Sequence, residues 1–181
     1  MRKYTGVAVM MVVACVLFSP SLFAQSATDA TISHAVSMRV NGISIIGLNS
    51  TAPVELAVNV PASGGMNAVG STDSSKRLQY TSILERGMSR RITVNMNSGA
   101  QTPSGTGLYL EAIGVPGSCG TAARQVRLSD EPQNLITDIG SGRTGSEGVM
   151  LQYNFEIDAF ESLVIGESQT VAVIFTMAEA S

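Results

Sequence analysis

Two runs of alternating side chains near the C-terminus constrain this chain most. From Gly148 to Asp158, the residues Val149, Leu151, Tyr153, Phe155 and Ile157 fall on one side, with Met150, Gln152, Asn154, Glu156 and Asp158 on the other. That is the period-two pattern of a half-buried strand. After a turn at Gly166-Glu167-Ser168 the pattern restarts with Val171, Val173, Phe175 and Met177. The two runs read as one hairpin, on which Phe155 and Phe175 are expected to share a core. A lone hairpin buries too little surface to offset its chain entropy. The upstream chain must therefore supply a partner sheet.

It has the material to do so. Ile32, His34, Val36, Met38 and Val40 alternate with small or polar residues and read as a first strand or a long N-terminal arm. Short apolar alternations recur at 43–48, 54–60, 76–84, 92–96 and 108–112. A polar segment, 124–129, carries Arg124 and Arg127, and like-charged arginines suit an edge strand that must not recruit another chain. Leu135, Ile136 and Ile139 mark a further apolar segment. Pro61 to Ser75 and Asn97 to Gly107 are loops rich in glycine and small polar residues. No window of the chain beyond residue 24 fits an amphipathic helix better than a strand. The expected fold is all-β: a single antiparallel immunoglobulin-like sandwich of about eight or nine strands.

The first residues read as an address. Arg2 and Lys3 precede an uncharged run from Gly6 to Phe18, and Ala24 stands before an abrupt change to polar sequence. Those are the parts of a secretory signal peptide, residues 1–24, leaving 25–181 as one domain. The apolar run is short for a membrane span, which needs about 20 residues, so no stable span is expected in the exported chain. Val12-Val13-Ala14-Cys15 also fits a lipoprotein box with Cys15 as the lipidated residue. The cut after Ala24 is favoured, because lipidation at Cys15 leaves the apolar Val16-Leu17-Phe18 leading the mature chain.

Removing 24 of the 181 residues leaves nine basic and fourteen acidic side chains, a net charge of −5. An acidic chain is a poor match for nucleic acid or an anionic membrane, so neither is expected as a partner. Cys119 is then the one cysteine left, so no internal disulfide forms. Its loop, Gly117-Ser118-Cys119-Gly120, reads as exposed, yet the thiol is expected to be buried and inert, as free cysteines more often are, the alternative being pairing between chains.

Chemistry is sparse. Gly140-x-Gly142-x-x-Gly145 matches the dinucleotide fingerprint in letters but runs into a strand, where a helix N-terminus is required to face the phosphates. A hairpin loop needing positive φ explains these glycines. His34 is the sole histidine, and no serine sits in a nucleophile elbow. On the apolar side of a strand, His34 reads as a packed or edge residue. One histidine and one cysteine are too few for a zinc site. Asp130, Glu131 and Asp138 are the acids placed for a surface calcium ion held with loop carbonyls, outside any calcium-loop motif. Lys76, Arg77, Arg86, Arg90 and Arg91 form a basic cluster in sequence, which reads as solvated strand ends or as a contact for anionic glycan. Tyr109, out of phase with Leu108 and Leu110, is the aromatic expected to be exposed. No catalytic residue, cofactor or metal is assigned, and an enzyme is not expected.

The signal peptide, the arm Ile32-His34-Val36-Met38-Val40 and the closing run Thr170 to Met177 together resemble small exported β-sandwich proteins of Gram-negative bacteria. More loosely they are similar to pilus or fimbrial subunits of the chaperone–usher type. The resemblance implies an incomplete sandwich, whose groove is filled by the arm of a neighbouring subunit through β-strand addition. The chain departs from that family in lacking a cysteine pair. The expected function is a non-enzymatic exported surface structural or adhesive subunit, located in the periplasm, on the outer surface or outside the cell. The alternative is a self-contained periplasmic or secreted ligand-binding module.

Overall fold

The computed structural model describes residues 32–180, so the expected signal peptide (1–24) and the Cys15 lipidation site lie outside the described residues. The chain divides between Met38 and Arg39 into two units. In the first, the described residues 32–38 form no strand and every one is exposed. The expected first strand over 32–40 is therefore not formed: no ladder includes these residues, and alternation alone does not make a strand without a hydrogen-bonding neighbour.

The second unit is built of antiparallel strands. Seven have six residues or more: β1 (Ile43–Leu48), β4 (Thr72–Ile83), β5 (Arg90–Met96), β6 (Thr106–Ile113), β9 (Gln133–Ile139), β11 (Val149–Ile157) and β12 (Val173–Glu179). Five more have two residues: β2 (Val58–Asn59), β3 (Val69–Gly70), β7 (Thr121–Ala122), β8 (Val126–Arg127) and β10 (Gly142–Arg143). The larger sheet has the order β1-β4-β11-β6-β8, with β10 also on β4; the smaller has the order β12-β5-β9-β7; β2 and β3 pair only with each other. Every pairing is antiparallel. Among the described residues no helix is long and apolar enough to cross a membrane.

One core cluster draws on both larger sheets. Leu78, Tyr80, Leu108, Leu110, Val149, Leu151 and Tyr153 come from the larger, and Ile92, Val94, Met96, Leu135, Ile136 and Ile139 from the smaller. Alternation accounts for the buried phase of β4, β5, β6 and β11. In β9 it fails: Leu135, Ile136 and Ile139 are all fully buried. Two register shifts against β5 supply the reason, each giving β9 an extra residue, and Asp138 beside one of them takes φ 56°.

The C-terminal runs do not form a hairpin. β11 lies in the middle of the larger sheet between β4 and β6, whereas β12 is the outer strand of the smaller sheet on β5. The fifteen residues between them (158–172), with the turn at Ile165-Gly166, carry the chain from one sheet to the other. Phe175 packs on the core; Phe155, half-buried, does not. Its amide instead bonds the Ser71 carbonyl at 3.0 Å, where β3 passes over the end of β11. The expected strand over 54–60 is reduced to β2, and the segment 124–129 keeps only β8, at an edge of the larger sheet as its arginines suggested.

Candidate functional site

The residues singled out in the sequence are dispersed. His34 lies in the strandless segment and is exposed, not packed on a strand. The Gly140-Gly145 segment forms β10 against Thr81 and Ser82 of β4, and no helix follows. Positive φ is needed only at Gly145; Gly142 is required for a different reason, since a Cβ there would stand 2.9 Å from the Ser118 carbonyl oxygen.

Cys119 is fully buried, as a free cysteine is expected to be even in so glycine-rich a loop, and it is free. Its carbonyl accepts the Tyr80 hydroxyl proton at 2.7 Å. Burial, with Cys119 adding to it, pushes the Tyr80 phenol far above its usual range. Among the described residues no three histidine, cysteine or acidic side chains converge to hold a metal ion. Asp130, Glu131 and Asp138 are each exposed.

The basic cluster also comes apart. Lys76 sits on the inward phase of β4 and is buried, its ammonium group donating to the backbone carbonyls of Ser50 (3.4 Å) and Ala52. Arg90 donates to the Ile43 carbonyl and to Ser82 Oγ (3.3 Å), at the opposite end of β4. Ser82 is six residue steps along the extended strand from Lys76, about 20 Å of chain. The two groups of cations make no common anion site.

What the fold does bring together lies on the outward phase of β6, β8 and the end of β11. Tyr109 is half-exposed, on the face expected of it. Its hydroxyl donates to Asp158 Oδ1 at 2.9 Å, and Arg127 Nη2 donates to Asp158 Oδ2 at 2.6 Å. The guanidinium stands 6.0 Å from the centre of the Tyr109 ring. Gly107 makes room for this arrangement, as a Cβ there would meet both the carboxylate and the ring at 2.7 Å. Partial burial and then the hydrogen bond to Asp158 hold the Tyr109 phenol above its usual range. Next along the strands, Gln125 Nε2 donates to Glu156 Oε1 at 2.6 Å.

Beside this cluster opens a cleft of about 910 Å³. Its walls come from the end of β5, the loop 100–105, β8 with the residues after it, and the start of β9. Buried Met96 and Leu128 are among the residues that line it. Its polar groups are almost all neutral, with Gln101, Gln133 and Asn134 among them. None of these was marked in the sequence, because one amide on the loop 100–105 and two at the start of β9 have no spacing that signals a site.

The arrangement offers hydrogen bonding and apolar contact. Among the described residues it brings together no nucleophile and base. Comparison of the chain with protein-family models, with curated proteins and with solved structures finds no match.

Proposed function

We propose that the chain is a non-enzymatic exported subunit of a surface structure, fimbrial-like, whose two sheets form an immunoglobulin-like sandwich completed between molecules. One observation carries this reading. Ile32, Val36, Met38 and Val40, on one side of an alternating run, are 96%, 65%, 88% and 81% exposed. Four large apolar side chains in period-two order are costly to leave in water, at about 1.5–3 kcal/mol each against full burial, and they match a strand that pairs with another molecule.

The receiving surface is a seam. β1 and β12 are outer strands of the two sheets; they come within 8 Å of each other in places but share no ladder. Their inward side chains Ile46, Leu48, Val173, Phe175 and Met177 are only half-buried, while Leu78, Tyr80, Ile92 and Val94 on the strands behind are buried. An incoming arm that pairs with the free edge of β12 lays its apolar face over those half-buried groups. The edge is exposed and carries no arginine, unlike β8 with its Arg127.

Deletion of residues 25–41 tests this. Sedimentation should show that the full chain self-associates and the shortened one does not, with unchanged thermal melting. A shortened chain that is less stable by several kcal/mol would instead make the arm part of its own molecule's core. The second reading, a self-contained binding module, is favoured by the cleft.

A further inference from the structure

We infer that the cleft bounded by the loop 100–105, β8 and the start of β9 is a binding site for a neutral oligosaccharide. The proposal rests on the binding reading, in an adhesive subunit or a self-contained module, and not on how subunits assemble. Its volume, about 910 Å³, suits several sugar rings, being near the upper end of small-molecule sites.

The chemistry of the lining selects the ligand class. Gln101, Gln133 and Asn134 are exposed, line the cleft, and make no side-chain hydrogen bond to another described residue. Each amide offers two donors and a carbonyl acceptor on one planar group, which is what a ring bearing adjacent hydroxyls, each both donor and acceptor, can use. The half-buried Ala100, Pro103 and Val126 on the lining supply apolar surface for the C–H faces of such a ring.

Charge argues against the other classes. Of the two charged residues on the lining, Arg127 already has its guanidinium on Asp158 at 2.6 Å, and Asp130 is acidic. No unengaged cation therefore faces a sulfate, phosphate or sialic acid, and in an acidic chain an anionic ligand is repelled. An apolar ligand is disfavoured by the amides, which it would strip of water without replacing their hydrogen bonds. Tyr109 is not on the lining, and its ring is covered on one side by Arg127. Recognition thus falls on the amides rather than on ring stacking.

The test is an NMR titration of the full chain with neutral hexose oligosaccharides and, separately, with sialylated ones. The side-chain amide signals of Gln101, Gln133 and Asn134 should shift with at least one neutral oligosaccharide, and sialylated ligands should bind more weakly. Asn134→Ala and Gln101→Ala, both at exposed positions where substitution leaves the fold intact, should each weaken binding about five-fold. The proposal is overturned by an absence of shifts with every neutral ligand, by shifts elsewhere on the surface, by preference for the sialylated ligand, or by variants that bind as the parent does. None of these outcomes bears on self-association, which is read by sedimentation.

Discussion

Tyr153 and Tyr80 show how burial at single residues becomes a property of the whole protein. Tyr153 is 6% exposed, and its phenol is pushed up to about 12, chiefly by burial and secondly by the nearby Asp73 carboxylate. Tyr80, 3% exposed and bonded to the Cys119 carbonyl, is raised further. In the unfolded chain both ionise near the ordinary value of 10.0. Above that pH the unfolded state has fewer bound protons than the folded one, so stability falls as pH rises. The contribution of Tyr153 is fully present below pH 10 and is lost as the pH climbs towards about 12. Denaturant melts across this window should show a falling midpoint, and phenolate absorbance of the native protein should lag behind that of the unfolded chain. A flat midpoint from pH 9 to pH 12 would contradict the burial of these two tyrosines.

At the scale of elements, the two C-terminal runs are each correct as strands and wrong as a hairpin. Ile92 is fully buried, so Ile92→Ala should cost about 2–5 kcal/mol. Phe155→Ala should cost less, about 1–2 kcal/mol, because its ring does not pack on the core. Since Phe175 packs on the core and Phe155 does not, their alanine substitutions should add to within about 0.5 kcal/mol. Coupling of 1 kcal/mol or more in a double-mutant cycle of denaturant melts would restore a shared core. The alternation of β4, β5, β6, β11 and β12 was legible because each has one face on the core and one on solvent. Their partners were not, since period two sets a face and not a neighbour. The fifteen-residue connection after β11 was the available signal, being far longer than a tight hairpin needs. β9 was obscured by its extra residues, and Lys76 by its charge: a lysine on the inward phase of a strand gives no hint that backbone carbonyls from Ser50 and Ala52 will receive it. The cleft was invisible for a related reason, as the start of β9 meets the loop 100–105 only in the folded chain.

At the scale of the whole molecule there is a mismatch. Two sheets share a well-buried core, yet one side of it ends in half-buried groups on β1 and β12, while an arm with matching apolar period stands exposed. The edge strand β8 is blunted by Arg127 and β7 by its two-residue length; β12, with seven residues and one unpaired edge, is not. The most direct measurement is amide hydrogen exchange on β12 in a chain lacking residues 25–41, with and without a synthetic peptide of residues 31–41. Strand addition predicts that the amides of Val173–Glu179 not bonded to β5 become protected when the peptide binds, while β8 is unchanged. Unchanged exchange along β12 at saturating peptide would contradict it.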